Sequence, residues 1–147
     1  MKIRSNDYGV PPKVKPEQLQ KAGTQKASFN ETLQQNSIKV WHQKLDQLLF
    51  KVSEQGKRLV NNRTIPELFK YKRLVQSFLK EAVSGMYELE DHSGWTRRGT
   101  RQSLVIVKQV DENMEKLTEM LVAEEQDSLK ILEQVDHIRG LLVDLYS

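Results

Sequence analysis

From Ile38 onward the apolar residues return at alternating intervals of three and four: Ile38, Trp41, Leu45, Leu48, Val52 and then Leu59. That spacing draws one stripe along a helix and is incompatible with the every-second-residue alternation of a strand. It predicts a helix over about 37–61. Gly56 stands where the stripe would continue, so a neighbouring helix comes close there or the helix kinks. A short segment holding Phe29 and Leu33 precedes it, with Ser28 or Asn30 as its cap.

A second helix opens at Thr64-Ile65-Pro66-Glu67. Thr64 is placed to cap the first free N–H groups while Glu67 reaches back to the Thr64 N–H, and Pro66 sits in the first turn, where its missing donor does no harm. Its stripe runs Leu68, Tyr71, Val75, Phe78, Ala82, Met86 and Leu89, and Ser93 and Gly94 end it. A third helix, over about 102–122, carries Val107, Val110, Met114, Leu117 and Leu121. A fourth, over about 126–146, carries Ile131, Val135, Ile138, Leu142 and Leu145, with the turn at Glu124 to Asp127. Leu104-Val105-Ile106-Val107 is β-branched enough for a strand, but no other run could pair with it, so it is read as helix. Four amphipathic helices with short connections predict an all-α, up-and-down four-helix bundle. Gly140 inside the last helix calls for a close backbone neighbour, and the apolar end Leu141 to Tyr146 is expected to dock in the core.

Charge divides the chain unevenly. Residues 1–26 carry six basic and two acidic side chains, 27–110 fourteen and eight, and 111–147 three and ten. The net +3 is therefore a basic body with an acidic last third, suited to internal pairing or to a basic face turned toward a partner. Pro11, Pro12, Pro16 and scattered lysines predict a flexible, disordered basic tail over 1–27, ahead of a bundle domain at 28–147.

Composition removes whole classes of function. The longest apolar runs are four residues, far short of the ~20 that a membrane helix needs, and no apolar stretch follows the first basic residues as in a secretory signal. Cysteine is absent, which excludes disulfides, thiolate zinc sites and thiol catalysis. A cytoplasmic protein without membrane contact is the expectation.

Two segments stand out, Ser93-Gly94-Trp95-Thr96-Arg97-Arg98-Gly99-Thr100-Arg101-Gln102 and the terminal Ile138-Arg139-Gly140-Leu141-Leu142-Val143-Asp144-Leu145-Tyr146. Together they resemble the YaaR family of bacterial proteins, a domain of unknown function found in bacilli and relatives. The resemblance covers about residues 28–147. It implies an all-helical bundle and brings no catalytic residues with it.

The stretch Trp95, Thr96, Arg97, Arg98, Gly99, Thr100 and Arg101 is the candidate site. Three guanidiniums within five positions offer rigid donor forks for carboxylate or phosphate, and the glycines let backbone N–H groups approach an anion. The competing reading pairs these arginines with Glu88, Glu90 and Asp91 and uses Trp95 only to cover the bundle's end. A second basic set, Lys57, Arg58, Arg63, Lys70, Lys72 and Arg73, straddles the turn into the second helix and reads as a solvated face.

Other chemistry finds little support. No metal or other cofactor is expected, since His42, His92 and His137 do not fall at the Glu-x-x-His spacing of a di-iron bundle. No phosphate loop and no nucleophile elbow occurs. Met86, Met114 and Met120 with Tyr71, Tyr87, Phe69 and Phe78 read as core at their helical spacing. Phe50 and Phe69 fall beside their stripes and are candidates for an exposed apolar patch suited to self-association or a partner helix. The expected function is a non-enzymatic protein-interaction or regulatory module that meets an acidic partner through Arg97, Arg98 and Arg101, with Trp95 as anchor. The alternative is a phosphorylated ligand or nucleic acid at the same residues, and homo-oligomerisation stands beside both.

Overall fold

The stripes described above become four helices in the structure, a computed structural model: α1 (Pro16–Asn61), α2 (Ile65–Ser93), α3 (Arg97–Val122) and α4 (Ser128–Asp144). It describes the backbone of residues 16–93 and 97–146, and side chains from Ser28 on except Asn30, Gln34 and 89–98. The chain divides into two compact units, Met1–Ser37 and Ile38–Ser147.

In the first unit helical backbone begins at Pro16, so residues 16–27, expected as part of the tail, are helical. The reason is local. Gln, Lys, Glu, Ala and Leu dominate 17–35, and these are strong helix formers that need no apolar partner to continue an existing helix. Ser28 is not a cap but an interior residue whose carbonyl accepts from the Thr32 hydroxyl at 2.9 Å. Residues 1–15 lie outside the described residues.

In the second unit the helices alternate in direction. Lys44 pairs with Glu81 at 2.9 Å and Gln55 reaches Glu67, so α1 and α2 run antiparallel. Asp46 meets Tyr146, and Ser53 meets Arg139, so α1 and α4 do the same. Gln134 donates to the carbonyl and side-chain oxygens of Asn113 at 2.9 and 3.0 Å, joining α4 to α3. With α2 beside α3, the order around the bundle is that of an up-and-down four-helix fold. Leu45, Val52, Leu59, Leu68, Tyr71, Val75, Phe78, Leu117, Ile131, Ile138 and Leu142 fill the interior.

Two glycines set the helix spacing. A Cβ on Gly56 would come within 2.7 Å of Val135 Cγ1 and 3.3 Å of the Tyr71 ring, the close contact expected there. A Cβ on Gly85 would overlap the indole of Trp41, whose Nε1 donates to the Glu81 carbonyl at 3.1 Å. Gly140 departs from expectation: nothing lies within 4 Å of its Cβ position, so no backbone packs against it. The end of the chain docks all the same, because Leu142 and Leu145 are buried and Tyr146 packs edge-on against Phe78.

The helix ends follow the expected chemistry in part. Thr64 Oγ1 accepts from the Glu67 N–H at 3.4 Å, but the return arm of the capping box is missing. The Thr64 N–H donates to the Asn62 carbonyl instead, and the Glu67 carboxylate takes Gln55 Nε2 at 2.7 Å. That hydrogen bond and the neighbouring Lys70 hold the Glu67 carboxyl below its ordinary pKa, outweighing desolvation. At the other turn Asp127 caps α4 by accepting from the Leu129 N–H at 2.9 Å. α3 closes with Glu124 in the left-handed region (φ 56°), its N–H on the Leu121 carbonyl and that of Glu125 on the Met120 carbonyl. This is a Schellman motif with glutamate where glycine is usual.

Candidate functional site

The arginines expected on a loop are placed on a helix. α2 runs to Ser93 and α3 begins at Arg97, so Arg97, Arg98, Gly99, Thr100 and Arg101 form the opening turn of α3, five residues earlier than the stripe indicated. Gly94, Trp95 and Thr96 lie outside the described residues, as do the side chains of Arg97, Arg98, Glu90 and Asp91. Gly99 is half-buried and Thr100 buried, while Arg101 is exposed. Arg101 forms no ion pair with another described residue.

This placement has an electrostatic consequence. The free N–H groups of a helix start carry about half a positive charge, which favours acidic side chains there and disfavours basic ones by about 0.3–1 kcal/mol each. The first turn of α3 holds no acid to offset its arginines. An external anion would be welcomed by guanidinium and helix terminus together.

Three of the six residues in the second basic set have partners within the chain. Lys57 pairs with Glu54 at 3.3 Å and Lys70 with Glu67 at 3.4 Å. Arg63 donates to the Val60 carbonyl and to Ser128 Oγ at 2.6 Å, tying the α1–α2 turn to the start of α4. His42 packs between the rings of Trp41 and Tyr146, and His137 is exposed. No group of three His, Cys, Asp or Glu suited to a metal ion occurs among the described residues.

A second feature is one that residue spacing hinted at only through Phe50. Between α1 and α4 lies an open groove of about 500 Å³, floored by Leu49, Val52, Val135 and Tyr71. Phe50, 66% exposed, and Leu132, 38% exposed, stand on its two walls. The Tyr71 hydroxyl is fully buried beneath it without a hydrogen-bond partner among the described residues. Burial foremost, and the charge of Asp136, push its pKa well above the ordinary tyrosine value. Phe69 and Tyr87, both in the set read as core, are 51% and 47% exposed because α2 turns them away from the other helices, as the place of Phe69 beside its stripe also indicated.

Fold and site together define a small helical bundle with a basic helix start and a mixed-charge groove. The chain belongs to the family described as "Protein of unknown function (DUF327)", whose model matches residues 10–146. It is 33% identical over 121 residues to "Uncharacterized protein YaaR" of Bacillus subtilis (strain 168), covering 82% of this chain and 83% of that one. Among solved structures it resembles the uncharacterized protein BH1478 from Bacillus halodurans, at 38% identity and a TM-score of 0.71 over 80% of this chain and 96% of that one. It shares its fold with protein TM1646 from Thermotoga maritima, at 24% identity and a TM-score of 0.64 over 80% and 97% of the two chains. No helix of the described residues is long and apolar enough to cross a membrane.

Proposed function

We propose that this protein is a non-enzymatic interaction or regulatory module that works in the cytoplasm and binds an acidic protein surface through the opening turn of α3. Arg97, Arg98 and Arg101 supply the charge and Trp95 the apolar anchor. The observation that carries this reading is the placement of three arginines at the positive end of α3 with no acid in that turn. Such a helix start is locally frustrated and is relieved by an incoming carboxylate. Arginine and tryptophan are also the residues that most often dominate interface energy.

The test is a pull-down of binding partners with the full chain and with the triple variant Arg97→Ala, Arg98→Ala, Arg101→Ala, each eluted in steps of added salt. Loss of one acidic protein from the variant, at a salt dependence of one to three ions, supports the proposal. Binding that instead collapses steeply with salt and follows nucleic acid in the eluate replaces the protein partner by a phosphate backbone. An unchanged set of partners contradicts both.

A further inference from the structure

We infer that the side of the bundle formed by α2 and α3 is the contact surface for a second copy of this chain, whose α3 lies on α2 while its α2 lies on α3; the arginines at the start of α3 take no part. On α2, Ile65, Phe69, Lys72, Gln76, Lys80 and Tyr87 fall within about 80° of one another around the helix. This stripe stands about 120° from the buried row of Leu68, Tyr71, Val75, Phe78 and Ala82, on the side away from Glu67 and Glu81, which reach α1. On α3, Leu104, Lys108, Asp111, Glu115, Glu119 and Val122 also fall within about 80°. They stand about 130° from the buried row of that helix and away from Asn113, which reaches α4. Both stripes therefore face outward from the side that α2 and α3 share.

The two stripes are complementary. Between Ile65 and Tyr87 the stripe of α2 bears Lys72 and Lys80 and no acid, with Phe69 and Tyr87 exposed toward its ends. That of α3 bears Asp111, Glu115 and Glu119, with Leu104 and Val122 exposed at its ends. None of Lys72, Lys80, Asp111 and Glu119 forms an ion pair with another described residue. The apolar ends are 18 residues apart on both helices, about 27 Å.

Register completes the match. Three residues join Ser93 of α2 to Arg97 of α3, and Thr64, just before α2, shares a pocket with Leu121 and Glu124 at the end of α3. Residues of the two helices whose numbers total about 190 therefore lie level to within a turn. A two-fold axis along the bundle, in the contact plane, keeps every height and exchanges the two helices. It sets Phe69, Lys72, Lys80 and Tyr87 on the other copy's Val122, Glu119, Asp111 and Leu104 in turn, each pair totalling 191. Lys108, the one cation on the acidic stripe, falls opposite the partly buried Val83. Each contact occurs twice, as an isologous interface requires. No partner of one sign answers both stripes: an acidic surface suits α2 and is repelled by α3, and a basic one the reverse.

The test is sedimentation velocity on the full chain from about 1 μM to 1 mM. The expected wild-type particle has about twice the 17.1 kDa chain mass. Lys72→Glu with Lys80→Glu should weaken the dimer about a hundredfold, since like charges then meet at four places, and Asp111→Lys with Glu119→Lys should do the same. An equimolar mixture of these two variants should restore the dimer, because each α2 then meets opposite charge on the other chain's α3. Circular dichroism confirms that each variant is folded. A wild-type monomer over the whole range, a dimer indifferent to either charge reversal, or a mixture that stays monomeric would each overturn the inference.

Discussion

The indole of Trp41 occupies the space in which residue 85 would begin a side chain, and Gly85 leaves that space open. The ring is held there by its hydrogen bond to the Glu81 carbonyl and by burial, so it cannot swing aside without losing both. Gly85→Ala should therefore destabilise the bundle by about 3 kcal/mol, although alanine is the better helix former. Urea unfolding checks the magnitude. Tryptophan fluorescence in a Trp95→Phe background should shift to the red as the ring leaves its seat.

Gly56 and Gly140 should respond with opposite signs. Alanine at 56 meets Val135 too closely and should cost about 1–2 kcal/mol, with Val135→Ala recovering part of the loss in the double variant. Alanine at 140 meets nothing and should stabilise by about 0.5–1 kcal/mol. Thermal unfolding of the four variants decides it.

At the end of α3 the strain runs the other way. Glu124 holds a left-handed conformation that disfavours any residue with a Cβ. Glu124→Gly should stabilise the protein by about 0.5–1 kcal/mol, measured by urea unfolding, and Glu124→Val should destabilise it.

The alkaline limb of stability should report Tyr146. Burial first, then its hydrogen bond to Asp46 at 2.6 Å, push its pKa up to about 12 from the ordinary 10. A raised folded pKa favours the protonated form, so this contribution is whole below pH 10 and is lost as the pH rises toward 12. Stability should fall across that window, and Tyr146→Phe should flatten part of the fall. Tyr71 is shifted in the same direction and accounts for the slope that remains.

The core was readable because burial repeats with the helix period: Leu45, Val52, Tyr71, Phe78, Ile131 and Ile138 all lie inside, as the stripes required. Periodicity does not set a helix's rotation to better than one position. Leu49 is accordingly more deeply buried than Leu48, the residue of the stripe beside it. The seat of Trp41 could not be anticipated, since Gly85 carries no apolar signal and the pair is brought together only by packing. Nor could Gln55 with Glu67, or Gln134 with Asn113, because a polar pair across two helices leaves no local pattern. The groove was half visible, through Phe50.

The most direct measurement is the unfolding free energy of the full chain carrying alanine at 97, 98 and 101. If these arginines serve an external anion at the positive end of α3, their removal should leave stability unchanged or raise it by about 1 kcal/mol, as the helix start is relieved of repulsion. A loss of several kcal/mol would mean that they hold the bundle together, and would contradict a binding role.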